Sequence, residues 1–538
     1  MGQRRHFTEE TKWYKQRWIA LGFLALSLLI ISLDNTVLNL ALPSIARELG
    51  ASASALQWIV DGYILVFAGL LLTMGSIGDR FGRKRILQVG LALFALFSLA
   101  AALSASTGSL IAMRALMGCG AAAIMPTTLS IITATFRDNK ERAQAIAIWA
   151  ATFALGSGIG PLVGGWLLEH FHWSSVFYIN VPVALTALIG GFFFVHDSKD
   201  ENPRRVDAPG FLLSIAGLFA LVYAIIQAGS DGWGATNVLW GFVAAAVLLG
   251  AFTLWERRSA NPVLPLQFFK NMSFTGANLA LTLVAFALMG SFFFLGQSLQ
   301  SVMGFTPLQA GVRLLPMAAF SFVSALLSAR VAARLGTKYT VSLGIILAAA
   351  GFFYFSQTLN AATTYSQLVI GMCIIAIGIG TTMSPATNSV MGSIPVNKAG
   401  VGSAMNDTTR QVGGALGVAV LGTLLNSTYI SRINAVKWPP QLPEQVTAAI
   451  HNSIQGAHIA AQNIPDAGLS AMIIAKADEA FSAGAAHATL VAAIVLASAS
   501  VLTFFILPSK VRSHQETTPA SIAPIPATED VTISRTQE

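Results

Sequence analysis

The sequence predicts an all-α membrane protein in which two six-helix halves flank two inserted helices. Composition is the first reason, because 54% of the residues are hydrophobic and only 10% are charged, unlike a soluble globular chain. The second reason is that apolar stretches long enough to cross ~30 Å of hydrocarbon recur along most of the chain. The third reason is a basic turn between two such stretches that appears a second time far downstream.

Apolar stretches of about twenty residues, the length of a transmembrane helix, recur fourteen times. They are residues 18–41, 57–77, 86–105, 110–132, 143–167, 175–195, 208–228, 237–255, 274–298, 308–332, 340–357, 366–389, 400–425 and 487–507. An even number of spans puts both termini on the same side. If that side is cytoplasmic, most of the 32 lysines and arginines fall in cytoplasmic segments, as the positive-inside rule requires. We therefore expect cytoplasmic N- and C-termini.

The basic turn indicates a duplication. Gly75–Arg85 (GSIGDRFGRKR) follows span two, and Ala329–Tyr339 (ARVAARLGTKY) follows span ten, with an Arg, a Gly and a Lys in the same register. Two plain six-helix halves would place these turns six spans apart, whereas they lie eight apart. Spans seven and eight are therefore predicted to be an insertion between the halves.

These spans set the predicted domain boundaries. The divisions are an N-terminal segment 1–17, an N-terminal half 18–195, inserted helices 208–255, a C-terminal half 274–507 and a disordered cytoplasmic tail 508–538.

A long external loop is predicted at residues 426–486. Its short apolar stripe of Val446, Ile450 and Ile454 fits either a lid over the outer mouth or packing against the helix ends.

Charge, cysteines and motifs exclude several classes of protein. The net charge of +8 would suggest nucleic-acid binding in a soluble protein. Here the basic residues lie in short loops and orient the helices, so no nucleic-acid partner is predicted.

Cys119 and Cys373 lie inside apolar runs, so no disulfide framework is expected. The first apolar run is too long for a cleaved signal peptide and is predicted to be retained. No Gly-x-x-x-x-Gly-Lys-Ser/Thr loop occurs, so a proton gradient is the expected energy source. No enzyme activity, metal or cofactor is predicted.

Three acids lie within predicted spans, where an ionised carboxylate needs a partner or a function. Asp34 is near the middle of span one, Asp61 is four residues into span two, and Asp407 lies in span thirteen. Each is a candidate proton carrier or counter-charge for a cationic substrate. The alternative is a structural ion pair, and for Asp407 the partner would be Arg410, one turn away.

Arg114 in span four is the cationic counterpart that the sequence offers. Because arginine does not readily lose its proton, its predicted role is to control proton binding by a neighbouring carboxylate. Three aromatic residues are candidates for contacting a cation: Trp58 and Tyr63 flank Asp61, and Trp149 lies deeper in span five than an interface anchor usually does.

Span five contains a row of glycines. Gly156, Gly160 and Gly164 recur every four residues, and Pro161 and Gly165 complete the motif. The glycines give one face without side chains, and the proline bends the helix. This pattern predicts a smooth face on which neighbouring helices rock; plain close packing would use the same glycines without calling for the proline.

These motifs together resemble the major facilitator superfamily. The turn Gly75–Arg85 is similar to its signature loop, and the glycine–proline run of span five is similar to its antiporter motif. The run Leu33–Pro43 resembles the first-helix motif of the fourteen-span drug:proton antiporters, and the runs 173–182 and 409–419 are also found there. Within that branch, the acids at 61 and 407 are most similar to those of the EmrB/QacA-type exporters.

The resemblance implies the major facilitator fold and roles for individual residues. Asp34 would be the proton-coupling acid and Arg114 its relay arginine, while Asp61 and Asp407 would contact protons or a cationic drug. The cytoplasmic turn would hold the two halves together through the residues Gly75, Asp79, Arg80, Gly82 and Arg83.

The chain departs from the family pattern in two places. Ala333 replaces the acid in the second turn, and the span-ten segment 316–321 lacks the acid that some relatives carry there. Use of a further carboxylate for dicationic substrates is therefore not predicted.

The predicted function is a proton-driven multidrug exporter of hydrophobic, cationic compounds, such as quaternary ammonium antiseptics and dyes, in the cytoplasmic membrane of a prokaryote. Its partners would be lipophilic cations, protons and the lipid bilayer. Two alternatives stay open: export of an endogenous metabolite, antibiotic or fatty acid by the same fold, and a receptor that no longer transports. No feature of the sequence indicates whether an adaptor protein is used.

Overall fold

The structure, a computed structural model, describes residues 14–136, 138–199, 207–259, 262, 266–393, 399–439 and 442–508. Most of the predicted N-terminal segment and nearly all of the predicted disordered tail therefore lie outside the described residues. Within the described ranges the regular structure is entirely helical.

The helices are given in chain order. They are α1 Arg17–Leu49, α2 Ala53–Phe81, α3 Arg83–Ala102, α4 Thr107–Thr135, α5 Asn139–His170, α6 Ser175–Tyr178, α7 Asn180–Phe194, α8 Ala208–Asp231, α9 Thr236–Arg258, α10 Met272–Gln297, α11 Pro307–Leu335, α12 Thr337–Thr358, α13 Tyr365–Gly392, α14 Ala399–Asn434, α15 Glu444–Asn452, α16 Ile454–Gln462 and α17 Ala467–Ile506. A 3₁₀ turn, Leu266–Lys270, precedes α10 and a π-helical turn, Ser298–Val302, follows it. Counting α6 with α7, fourteen of the described segments are long and apolar enough to cross a membrane, which confirms the predicted number.

The internal repeat is visible in the backbone. Gly50 and Gly304, which end the first helix of each half, have φ of 62° and 69°, and Gly82 and Gly336 in the two basic turns have φ of 111° and 90°. These conformations strain residues that carry a Cβ, so glycine is favoured at all four positions. The duplicated halves therefore share the same turn geometry.

The inserted helices α8 and α9 pack against each other, and α8 lies across the junction of the halves, against α2 and α14. On the α2 side, the rings of Trp58 and Phe219 are 5.0 Å apart. On the α14 side, the hydroxyl of Thr423 donates a hydrogen bond of 3.0 Å to the carbonyl of Ile225. The insertion thus touches both halves.

The two halves are joined tightly at the end of the bundle that contains the α1–α2 turn. The side-chain amide of Gln57 donates to the carbonyls of Val418 and Ala419, each at 3.2 Å. Gln300, in the π-helical turn, donates to the carbonyl of Leu40 at 2.9 Å. The halves are therefore hydrogen-bonded to each other at this end, which the lysine and arginine distribution predicts to be external.

The predicted external loop 426–486 is largely helical. The helix α14 continues to Asn434 and α17 begins at Ala467, so the segment between them is about half as long and contains α15 and α16. Hydropathy marks only the apolar part of these two helices, and at their polar ends the side chains of Thr428 and His487 pair at 3.0 Å.

The apolar stripe in this loop packs inward. Ile450 and Ile454 are buried, and the hydroxyl of Tyr429 donates to the carbonyl of Ile450 at 2.8 Å. The amide of Gln455 donates to Gln297 and Ser301, each at 3.2 Å. The stripe therefore packs against helix ends, and α16 also touches α1 of the other half.

Candidate functional site

The structure brings Asp34 of α1 and Arg114 of α4 together inside the N-terminal half. Nη1 of Arg114 lies 2.5 Å from Oδ2 of Asp34, and the side chains are 1% and 2% exposed. A buried ion pair keeps both charges at this depth, because either one alone would be costly. The sequence predicted that Arg114 acts on a neighbouring carboxylate, and the structure identifies that carboxylate as Asp34.

Arg114 has further contacts that fix its guanidinium. Its Nε donates to the carbonyl of Ile59 at 3.2 Å. Its guanidinium carbon lies 4.3 Å from the centre of the Tyr63 ring and 5.9 Å from that of Phe177. The ring faces add a cation–π contribution. Arg114 is therefore held by α2 and α6 as well as by α1.

Asn180, the first residue of α7, holds the other oxygen of Asp34. Its amide nitrogen lies 3.1 Å from Oδ1 of Asp34 and 3.1 Å from the hydroxyl of Ser98. Ser98 in turn donates to the carbonyl of Phe177 at 2.8 Å. Asn180 and Ser98 are buried, so the carboxylate sits in a fully packed polar network that joins four helical segments of one half.

Asp61 is buried and lies apart from this network. It is 0% exposed, and neither carboxylate oxygen has a hydrogen-bond partner in the described part of the chain. It lies one helical turn after Gln57, which contacts α14, so it points to the side of α2 that faces the C-terminal half. The structure does not gather the neighbouring aromatics around it, because Trp58 packs on Phe219 of α8 and Tyr63 packs on Arg114.

Asp407 is paired within α14. Its Oδ1 lies 3.0 Å from Nη2 of Arg410, and the side chains are 14% and 23% exposed. The guanidinium of Arg410 lies 5.9 Å from the ring centre of Phe153 on α5, in the opposite half. The ion pair that the sequence left open as an alternative is thus present, and it lies where the halves face each other.

Trp149 is half-buried on α5. Its indole nitrogen donates to the hydroxyl of Thr128 on α4 at 3.1 Å. The structure therefore ties its polar group to a neighbouring helix of the same half.

The glycine face of α5 packs mainly within one half. A Cβ placed on Gly156, Gly160 or Gly164 would collide with Ser32, Thr36 or Val37 of α1. These glycines allow α1 and α5 to approach closely, as plain packing requires.

The other residues of the motif do face the C-terminal half. A Cβ on Gly165 would collide with Pro307 and Leu308 of α11, and a Cβ on Gly311 of α11 would collide with the carbonyl of Pro161. Pro161 and Gly165 therefore pack against α11 of the opposite half, whereas the three-glycine row packs inside one half; rocking of the halves on this face stays a prediction.

The basic turn is organised around two carboxylates. Oδ1 of Asp79 lies 2.8 Å from Nε of Arg83. Asp197, which follows α7, accepts from the backbone nitrogen of Lys84 at 3.3 Å and occupies the space that a Cβ on Gly82 would need.

The remaining residues of the turn have local contacts. The guanidinium of Arg80 lies over the ring of Phe81 at 5.5 Å, and Gly75 faces Pro126 of α4. All of these contacts lie within the N-terminal half, and the role of the turn in holding the two halves together stays a prediction.

A family model described as the Major Facilitator Superfamily matches residues 24–418. The chain belongs to this superfamily. It is accordingly a multi-pass protein of the cell membrane, with a fold and family known for transporters rather than enzymes.

Curated superfamily relatives match over most of their length. The chain is 39% identical to the multidrug efflux pump LfrA of Mycolicibacterium smegmatis, over 90% of this chain and 95% of that one. It is 35% identical to the tetracenomycin C resistance and export protein of Streptomyces glaucescens, over 81% and 82%. It is 33% identical to the methyl viologen resistance protein SmvA of Salmonella typhimurium, over 84% and 90%.

Solved superfamily structures share the fold at low identity. A bacterial homologue of the human lysosomal transporter Spinster, in an inward-facing and unoccupied conformation, aligns with a TM-score of 0.64 at 16% identity, over 91% of this chain and 97% of that one. A mutant of the peptide transporter POT in complex with sulfate aligns with a TM-score of 0.60 at 15% identity, over 90% and 95%.

Sequence reasoning missed Asn180 and Ser98 as site residues of this superfamily member. Asn180 lies in the run Phe-Tyr-Ile-Asn-Val-Pro, a polar residue in an apolar stretch, and this was the available signal. Nothing in the sequence marked Ser98 as a site residue, because the hydroxyl of a serine in a membrane helix commonly donates a hydrogen bond to a carbonyl of its own helix.

Proposed function

We propose that this protein is a proton-driven exporter of hydrophobic cationic compounds that exposes a site between its halves alternately to the two sides of the membrane. The observation that carries the proposal is the buried pair of Asp34 and Arg114. A carboxylate with one fixed arginine partner is a group whose charge a single proton can change. The relatives named for multidrug efflux and for resistance support export as the direction of transport.

The proton acts through the contacts of Asp34. When ionised, Asp34 accepts hydrogen bonds from Arg114 and Asn180. Proton binding removes the negative charge and leaves Arg114 as a buried cation that keeps its contacts with the Ile59 carbonyl and with the rings of Tyr63 and Phe177. Because that state is costly in a dry interior, it favours a different packing of α1 against α4.

The cation site lies where the halves meet. Asp61 is a buried carboxylate without a partner in the described structure, and a hydrophobic cation beside it would supply the missing counter-charge. A proton on the same carboxylate would remove the need for that cation. Binding of one therefore releases the other, which is the coupling an antiporter requires.

The second candidate is the same fold with an uncharged cargo, such as an antibiotic, an endogenous metabolite or a fatty acid. The relative named for tetracenomycin C resistance and export supports it. This candidate requires no free carboxylate at the interface between the halves, so substitution of Asp61 distinguishes the two.

The test is proton release from the purified protein in weakly buffered detergent solution. Addition of tetraphenylphosphonium, a hydrophobic cation, is expected to release protons from the wild type and from Asp231→Asn, whose exposed carboxylate lies at the end of α8. The Asp61→Asn protein is expected to release none, because it lacks the carboxylate at which cation and proton exchange. The Asp34→Asn protein is expected to release fewer protons than the wild type, because it cannot bind a proton at the buried pair. Equal release from Asp34→Asn and wild type would contradict the proposal, and so would no release from wild type with any lipophilic cation.

A further inference from the structure

The three acids inside the spans differ in their compensation by a neighbouring cation. Asp34 is paired with Arg114 and Asp407 is paired with Arg410. Asp61 has no hydrogen-bond partner in the ranges that the structure describes. Of these three acids, Asp61 is therefore the one for which the described residues supply no compensating cation.

The two ion pairs differ in accessibility. The side chains of Asp34 and Arg114 are 2% and 1% exposed and are enclosed by helices of one half. Asp407 and Arg410 are 14% and 23% exposed, and Arg410 faces Phe153 of the opposite half. Of the two pairs, only the one on α14 is placed to meet a substrate.

Asp407 also lies on the side of α14 that faces α2. It precedes Val418, whose carbonyl accepts from Gln57, by eleven residues, which is about three helical turns. Asp61 lies one turn along α2 from the same Gln57. Asp61 and Asp407 thus face the same seam, the line along which α2 and α14 of the two halves pack, at different positions along its length.

We infer that Arg410 determines the charge selectivity of transport: it neutralises Asp407, so that the seam accepts cations with one positive charge and excludes those with two. The inference rests on the proposed function and extends it to the substrate class. A dication bound at the seam would place one charge beside Asp61 and leave the second without a partner. Burying an unpaired charge is costly, and the charge of Arg410 adds repulsion.

The inference can be tested by substituting Arg410 alone and by substituting Arg410 together with Asp407. Arg410→Gln leaves Asp407 as a second free carboxylate. Arg410→Lys keeps a cation within reach of Asp407, and the double variant Arg410→Gln with Asp407→Asn removes both charges together. These variants separate loss of the arginine side chain from gain of a free negative charge.

The experiment measures growth and energised efflux in cells that express each protein at matched membrane levels. The monocation is tetraphenylphosphonium and the dication is methyl viologen, the compound for which the relative SmvA is named. Wild type is expected to export tetraphenylphosphonium and not methyl viologen. Arg410→Gln is expected to raise the tolerated methyl viologen concentration about tenfold, the effect of one additional close charge partner, while Arg410→Lys and the double variant do not.

Each other outcome has a definite meaning. Methyl viologen export by wild type at a rate similar to that of tetraphenylphosphonium would overturn the inference while leaving the proposed function intact. So would an Arg410→Gln protein that reaches the membrane and gains no methyl viologen export, or a double variant that gains as much as Arg410→Gln. Failure of wild type to export tetraphenylphosphonium would instead contradict the proposed function itself.

Discussion

Arg114 and Asp34 are separated by 80 positions in the chain, yet Nη1 of one lies 2.5 Å from Oδ2 of the other, with both side chains buried. Neither helix could keep its charge without the other, because an unpaired ion in this interior is unfavourable. The pair therefore links the stability of the N-terminal half to the protonation state of Asp34.

Removing one charge of this pair is expected to destabilise the protein more than removing both. Arg114→Gln leaves Asp34 as an uncompensated buried carboxylate and should lower the free energy of unfolding by about 3–5 kcal/mol. The double variant Arg114→Gln with Asp34→Asn should recover part of that loss, since it leaves no buried charge. Thermal and denaturant unfolding of the purified proteins in detergent measure both effects; equal stability of the single and double variants would argue against a true ion pair.

Asn180→Leu is expected to impair transport at an unchanged membrane level. The amide of Asn180 donates to Oδ1 of Asp34 and to Ser98, and a hydrogen bond to a charged group contributes about 1.5–3 kcal/mol. Its loss should slow tetraphenylphosphonium efflux about tenfold, whereas Ser98→Ala, which keeps the bond to Asp34, should have a smaller effect. Similar rates for the two variants would assign Asn180 a packing role only.

Gly160→Leu is expected to disrupt the contact of α5 with α1. A Cβ at Gly160 would collide with Thr36, and overpacking of this kind costs about 1–3 kcal/mol or more. The matched control is Gly22→Leu on α1, because a Cβ at Gly22 meets nothing within 4 Å. Membrane yield and thermal midpoint should fall for Gly160→Leu and stay near wild type for Gly22→Leu; equal losses would mean that the close approach at Gly160 is unimportant.

Gln57→Leu is expected to shift the conformational equilibrium away from the state in which α2 and α14 are hydrogen-bonded to each other. It removes two hydrogen bonds between the halves, worth about 1 kcal/mol each, which together correspond to a change of about 30-fold in the equilibrium between the two states. Spin labels at positions 54 and 431, near the ends of α2 and α14, should report a larger share of long distances. Gln227→Leu, which removes a bond between Gln227 and Asp231 of α8, is the control and should leave the distance distribution unchanged.

The sequence alone determined the number of helices, because the requirement to satisfy every backbone hydrogen bond in lipid makes each long apolar run a helix. It also determined the duplication, because the two basic turns carry an Arg, a Gly and a Lys in the same register. In the structure the glycines of both turns, Gly82 and Gly336, have positive φ. The sequence did not predict how far the helices beside the external loop extend, because residues 426–434 and 467–486 are helical although they lie outside the apolar runs.

Only the tertiary structure shows which charged side chains of different helices form ion pairs. Residue type and depth predicted that Asp34, Asp61, Asp407 and Arg114 matter, but an arginine can pair with any carboxylate that the fold brings within reach. Packing of α1 against α4 assigned Arg114 to Asp34, the three-residue spacing on α14 assigned Arg410 to Asp407, and no described side chain pairs with Asp61. The pair on α14 follows from spacing within one helix and was an alternative that the sequence offered. The pairing of Asp34 and the lack of a described partner for Asp61 instead depend on distances between helices far apart in the chain, which periodicity within one segment does not encode.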